Sequence, residues 1–357
     1  MVSRVSKLWR LTENVGTQID ETQTRKDRKK VILVAYPRSG STFTADVIRA
    51  NDDVLFIFEP LFPTLKEHIG KPFLVAEKTV YKRLKTNMTT YKEEVKKVMK
   101  SFLNCDSSLL DLPLYVLKNE FLKIREDTFP LFECVRNITK PNQTLIEHCV
   151  EKFIKLCEQR KVILVKTIRY PSEILYNQMK NDPNLYVVYL VRDPRGIISS
   201  QMTHFHNSQW ETIGRTSKEI CSLMENDIQI MEDLHDLYPD RVKLIRYESL
   251  ATNPLGGATD IYKFLKLDLT KNAINVIKLQ TASNITSCNV SCTLRRNSKN
   301  VPYQWRVNAN FTYIQNIDRS CGNVYAKMCY VPVKNSNHLK DLSISLIKPC
   351  LKYDVKM

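Results

Sequence analysis

No G-x-x-x-x-G-K-[ST] phosphate loop occurs in these 357 residues. In the one Gly/Ser/Thr turn that invites comparison, Gly40 is followed by Ser41. A Walker-type ATPase or kinase would therefore lack both its first glycine and its phosphate-gripping lysine. The ten cysteines (105, 134, 149, 157, 221, 288, 292, 321, 329 and 350) contain no C-x-x-C pair, Cys288 and Cys292 being four apart, so the common zinc spacing is missing too. Zinc-finger spacing, a basic zipper and an RNA-binding aromatic signature are also absent. The surplus of 54 Lys and Arg over 38 Asp and Glu, a formal +16, is thus not read as affinity for nucleic acid. The opening Met1-Val-Ser-Arg-Val-Ser-Lys-Leu-Trp-Arg10 holds no apolar run long enough for a signal peptide or membrane anchor. There are no internal repeats and no low-complexity tract.

What is present begins with Val31-Ile-Leu-Val-Ala-Tyr-Pro-Arg-Ser-Gly-Ser-Thr-Phe43. A β-branched apolar run stops at Pro37 and turns through a short polar loop into a helix. Free N–H groups at a helix start, the hydroxyls of Ser39, Ser41 and Thr42, and the fixed charge of Arg38 together make a cradle for a phosphate or sulfate. The second such layout is Tyr186-Val-Val-Tyr-Leu-Val-Arg-Asp-Pro-Arg195, followed by Gly-Ile-Ile-Ser-Ser200. Arg192 ends a buried-type strand, Asp193 and Pro194 suit a helix start, and Ser200 lies two helical turns on, so Arg192 and Ser200 can close on one anion. An ordinary capped turn or a structural Arg-Asp pair explains either segment alone, but less readily both.

Apolar residues make up 43% of the chain, enough for one substantial core under a basic surface that favours anionic partners. Residues 1–29 read as a polar tail or stalk. Strands are expected at 31–36, 53–58, 162–166, 186–192 and 242–247, with helical patterns between the later ones. A long helix at 217–238 carries a core stripe of Ile220, Leu223, Met224, Ile228, Met231 and Leu234. This alternation predicts an α/β fold, a P-loop-like doubly wound, mostly parallel sheet flanked by helices, with ligands at the carboxyl ends of the strands. The domain is expected over residues 30–335, with a variable inserted region at 62–160 and a C-terminal tail at 336–357. The inserted region is either an elaboration over an acceptor cleft or a plain structural cap.

On these two motifs the chain resembles the sulfotransferases that use 3'-phosphoadenosine 5'-phosphosulfate. Phe58-Glu-Pro-Leu61, Val191-Arg-Asp-Pro-Arg195, Arg296-Asn-Ser298 and Trp305-Arg306 are similar to the carbohydrate 6-O-sulfotransferases within that superfamily. The resemblance runs from about residue 31 to about residue 332 and is weakest at 62–160. It implies a 5'-phosphosulfate loop of Arg38, Ser39, Gly40, Ser41, Thr42 and Phe43, a 3'-phosphate site of Arg192 and Ser200, Tyr247 near the adenine, and Arg296 in a late loop over the 3'-phosphate. It also implies transfer of a sulfuryl group to a sugar hydroxyl, the 6-position of Gal, GlcNAc or GalNAc in a glycan or glycosaminoglycan, with no metal. Tyrosylprotein or small-molecule sulfotransfer is the nearest alternative, and a non-catalytic glycan-binding protein a more remote one.

Sulfuryl transfer needs a base for the acceptor proton and cations for the charge that builds on the transferring and departing oxygens. Glu59 is the expected base, at the end of the second strand beside the first loop, with its pKa raised toward neutrality by burial. The same carboxylate could instead orient an arginine or the acceptor. Lys166, in Val165-Lys-Thr-Ile168, resembles the Lys-Thr-His segment of the cytosolic enzymes, with Ile168 where their histidine stands. It is a candidate cation for the sulfuryl, as is Arg38, and Arg169 can reach a carboxylate. His204 and His206 are weaker candidates, because no further metal ligand accompanies them.

An even cysteine count and six N-x-[ST] sequons, at Asn87, Asn137, Asn142, Asn284, Asn289 and Asn310, suggest a lumenal or secretory setting. The resemblance implies the Golgi lumen, with membrane attachment only through an N-terminal anchor that this chain does not display. Secreted or cytoplasmic placement is the alternative.

Overall fold

A computed structural model describes residues 28–69, 88–140, 142–204, 213–283 and 294–354. Five strands, β1 (Lys29–Val34), β2 (Val54–Phe58), β3 (Val162–Thr167), β4 (Leu185–Val191) and β5 (Val242–Arg246), form one parallel sheet in the order β2-β3-β1-β4-β5. The expected strands are all present, their ends displaced by at most two residues. Their near-continuous Val, Ile, Leu and Phe content follows from burial on both faces, which helical crossovers impose on a parallel sheet. Side chains alternate accordingly. Ile32, Val34, Ile57, Val165 and Val187 enter one apolar cluster, whereas Val31, Leu33, Phe56, Leu164 and Val188 enter another on the opposite face.

The helix expected at 217–238 runs from Ile213 to Leu237, and Ile220, Met224, Ile228, Met231 and Leu234 are buried along it. The second cluster is roofed by helices Ser41–Ile48, Pro254–Leu265 and Lys271–Thr281. Within the region expected as an insertion, helices Met88–Asn104, Phe129–Arg136 and Gln143–Glu158 share the first cluster through Val95, Val98, Phe102, Val135, Val150 and Phe153. Cys105–Cys157 and Cys134–Cys149 disulfides tie that region together.

Three expectations change. The strand that ends at Glu59 does not lie beside the first loop: β3 pairs with both β1 and β2 and separates them. Pairing order is a tertiary property, and local sequence does not encode it. The predicted strand end at Tyr247 instead opens a helix, Tyr247–Thr252. Residues 336–354 are not a free tail. Leu339, Leu346, Cys350 and Tyr353 are buried, Tyr330 pairs with Ile347, and Cys329–Cys350 closes the segment. The buried Arg306 guanidinium donates to the carbonyls of His338, Leu339, Asp341 and Ile344, which holds the segment down.

Candidate active site

Every strand of the sheet ends at its carboxyl edge in a chemically capable residue. Read across the sheet, these are Glu59 after β2, Lys166 near the end of β3, Arg38 in the loop after β1, Arg192 after β4 and Tyr247 after β5. Strand order reverses at β1, the place where open α/β sheets leave a crevice.

Gly40 is the N-cap of helix Ser41–Ile48, has φ +91° and supplies no side-chain cap. Its left-handed backbone is the glycine-permissive one, and a Cβ there would stand 2.3 Å from the Tyr247 ring. The first helical bond that reaches back into the loop is Thr44 N–H to Gly40 C=O, at 3.0 Å, so the preceding N–H groups point out of the helix start. Ser39 is fully buried with its hydroxyl donating to the Tyr36 carbonyl at 2.7 Å. It braces the turn rather than lining it. The Phe43 side chain is likewise in the core, edge-on to Tyr247 at 6.5 Å, which leaves its backbone as the part nearest the loop.

The two anion motifs converge on Arg38, itself at φ +68°. Arg38 Nε donates to Ser200 Oγ at 3.1 Å, and Arg192 Nη1 donates to the Arg38 carbonyl at 2.8 Å. The Arg192 guanidinium lies 4.8 Å from the centre of the Tyr247 ring, and its buried Nε has no hydrogen-bond partner. Burial, then the charges of Arg192 and Arg295, lower the Arg38 pKa. Guanidinium groups gathered this closely, with a buried N–H left over, fit a polyanionic ligand that would neutralise them.

On the other flank, Glu59 is 2% exposed. Lys166 Nζ is 2.5 Å from Glu59 Oε1, and Arg169 donates to Oε2. Lys166 also lies 4.7 Å from the Phe58 ring centre. Burial by itself would raise the Glu59 pKa, but Lys166 and Arg169 outweigh it and hold the carboxylate below its ordinary value. The expected rise toward neutrality is therefore corrected: Arg169, read from sequence as able to reach a carboxylate, closes on Glu59 together with Lys166. Lys166 is itself lowered, chiefly by burial.

A buried layer supports Arg192. Asp193 accepts from Arg195, and the Asp193 N–H donates to Glu248 Oε1 at 2.9 Å. The Tyr330 hydroxyl donates to Glu248 Oε2 at 3.0 Å. The Arg195 guanidinium is sandwiched 5.1 Å from the Trp305 ring and 4.8 Å from the Tyr325 ring. Burial raises the Glu248 pKa, with the Asp193 charge adding to it.

Of the residues singled out from sequence, Arg38, Gly40, Arg192, Ser200 and Tyr247 come together, while Glu59 and Lys166 pair beside them. Ser41 is buried and Thr42 half-buried at the helix start. Arg296 is exposed, and the arginine whose charge acts on Arg38 and Tyr247 is its neighbour Arg295. Sequence reasoning missed Arg295 because the phase of an irregular loop is not periodic. It also missed Asn119, whose side chain binds the Glu59 carbonyl. His204 ends helix Pro194–His204, and His206 lies outside the described residues. Among the described residues no group of His, Cys, Asp and Glu is arranged to hold a metal ion.

Comparison with known proteins adds a family. The profile of the sulfotransferase domain matches residues 28–326. Carbohydrate sulfotransferase 1 of Danio rerio is 28% identical over 361 residues, spanning 89% of this chain and 81% of that protein. The Homo sapiens protein of the same name is 25% identical over 356 residues, spanning 89% and 83%. Among solved structures, a sulfotransferase domain from the curacin biosynthetic pathway aligns with a TM-score of 0.43 at 15% identity, over 83% of this chain and 97% of that one. With the domain profile running through all five strands and both anion motifs, the chain belongs to the sulfotransferase domain family.

Proposed function

We propose that this sulfotransferase moves the sulfuryl group of 3'-phosphoadenosine 5'-phosphosulfate to a sugar hydroxyl, the 6-position of Gal, GlcNAc or GalNAc in a glycan or glycosaminoglycan. The observation that carries the reading is the order of side chains along the sheet edge: carboxylate, lysine, anion loop, arginine, aromatic. Neighbouring strands are about 4.8 Å apart. A sulfated nucleotide held by the Arg38 loop and Arg192 thus presents its sulfur toward Lys166 and Glu59, and its base toward Tyr247.

Each residue then has a task. Arg192, Ser200 and Arg295 would bind the 3'-phosphate, whereas Arg38 and the N–H groups at residues 40–43 would bind the 5'-phosphosulfate. Lys166 bridges to a sulfuryl oxygen and offsets the charge that develops there. The acceptor oxygen forms a bond to sulfur as the bond from sulfur to the 5'-phosphate oxygen breaks, and the acceptor proton passes to Glu59. Drawing Lys166 toward the sulfuryl group removes one of the two cations that depress Glu59, so its basicity rises when donor is bound.

The relatives' names support sugar as the acceptor, and Ile168 in place of a histidine argues against the cytosolic small-molecule type. The eight described cysteines are all paired, in Cys105–Cys157, Cys134–Cys149, Cys221–Cys321 and Cys329–Cys350. Asn137, Asn142 and Asn310 are exposed, and Asn142 and Asn310 cap helices through Oδ1, leaving Nδ2 for a glycan. Both features favour a glycoprotein of the Golgi lumen. No helix among the described residues is long and apolar enough to cross a membrane.

Transfer of labelled sulfate from the nucleotide donor to a panel of glycans, phenols and tyrosine peptides tests the reading. Label on carbohydrate, at the 6-position by linkage analysis, is expected. Label confined to peptide or phenol would overturn it.

A further inference from the structure

Glu59 is one of five non-glycine residues at positive φ among the described residues, with φ +52°. A side chain in the left-handed region is strained and stays there only when its surroundings over-determine it. The Glu59 N–H donates to the Lys166 carbonyl at 2.9 Å, which fixes the residue from β3. Its carbonyl accepts from the Phe62 N–H at 3.2 Å and from Asn119 Nδ2 at 2.9 Å.

Asn119 is held in place to make this bond. It is 2% exposed. Its Oδ1 accepts from the Phe121 N–H at 3.1 Å, so the amide cannot flip and Nδ2 must face the Glu59 carbonyl. Its own backbone is closed into the local turns through Val116 and Leu122. Phe121, two residues on, packs edge-on to Phe62 at 4.5 Å and to Phe58 at 5.6 Å, gripping the chain on both sides of Glu59.

We infer that Asn119 is a positioning residue that holds Glu59 in its left-handed conformation, so that the region at 62–160 aims the carboxylate at Lys166 and Arg169. This rests on the reading of Glu59 as the acceptor-side base. The φ angle of Glu59 sets the direction of its Cα–Cβ bond. Without the Asn119 amide the carbonyl keeps only the longer Phe62 N–H bond, so the backbone relaxes toward an ordinary region and the carboxylate swings off both cations.

The test uses Asn119→Ala and Asn119→Ser in the full chain. Uptake of the desulfated donor, measured by calorimetry, reports folding and the anion site, and is expected to stay within twofold of wild type. With sugar acceptor, kcat is expected to fall about 10- to 100-fold, the scale of a carboxylate displaced by roughly an ångström. The acid limb of the kcat profile moves to higher pH, because Glu59 loses the charges that depress it. A crystal structure of Asn119→Ala should show Glu59 outside the left-handed region. Either variant taking up donor normally while keeping kcat within twofold and its acid limb in place would overturn the inference, as would an Asn119→Ala structure with Glu59 unmoved. Failure of the underlying reading shows separately, as near-normal turnover by Glu59→Gln. In that case the variant structure still decides whether Asn119 sets the conformation.

Discussion

Arg38 and Glu59 share an unusual backbone state. Both carry side chains at positive φ, and both have their carbonyl taken by a side-chain donor from elsewhere in the chain, Arg192 in one case and Asn119 in the other. The motifs around Arg38 and Arg192 were legible because β-branched runs that end in Pro, Gly and charge announce a strand end. The ionic state of Glu59 was not, since Arg169 could be assigned to a carboxylate but not to this one, 110 positions away. Glu59→Gln is expected to lower turnover by about 10² to 10³, the scale of losing a general base, with desulfated-donor affinity within twofold by calorimetry.

The lowered Glu59 pKa also has a sign in stability. The contribution of the ionised carboxylate is complete above the unfolded value of about 4.3 and is lost as pH falls through the lower folded value. The urea stability of wild type relative to Glu59→Gln should therefore be flat at neutral pH and shrink only in acid. Arg295→Ala should weaken desulfated-donor binding about tenfold, or about 1.4 kcal/mol, while Arg296→Ala leaves it near wild type. Equal effects from the two would return the role to Arg296.

At the scale of elements, the loop that follows β1 depends on one glycine. Gly40 combines φ +91° with the Tyr247 ring against its α-carbon, so Gly40→Ala costs both backbone strain, about 1–3 kcal/mol, and displacement of the aromatic. A lowered Tm together with weaker donor uptake is the expected result. A variant that binds donor normally would show that the loop tolerates a Cβ. The strands themselves could be read from sequence, being short β-branched runs at their positions. Their order could not, because β3 enters between β1 and β2 only after some hundred intervening residues. That interposition carries Lys166 between the anion loop and Glu59.

At the scale of the molecule, the segment read from sequence as a tail backs the proposed donor site indirectly, Ile347 pairing with Tyr330 and Cys350 with Cys329. Tyr330 reaches Glu248, Glu248 holds the Asp193 N–H, and Asp193 follows Arg192. Cys329→Ser with Cys350→Ser should therefore do more than remove the roughly 2–4 kcal/mol typical of a disulfide. It should also weaken desulfated-donor binding severalfold under conditions where the variant stays folded by near-ultraviolet circular dichroism. Loss of stability with undiminished binding would disconnect the segment from Arg192. The packing of Leu346 and Tyr353 was invisible in sequence because isolated apolar residues in an irregular stretch have no period to reveal their burial.

The Arg306 guanidinium, lodged among four carbonyls of residues 338–344, sets a timetable for biosynthesis. Those carbonyls emerge from the ribosome long after Arg192 and the whole sheet have been made, so the growing polypeptide carries a stranded cation until residues 338–344 arrive. Competence to take up the nucleotide is therefore expected only once residues 338–344 have been made, not while the sheet is being assembled. A nascent chain stalled before residue 330 should accordingly fail to be retained on immobilised desulfated donor, and its retention would show that the sheet alone suffices.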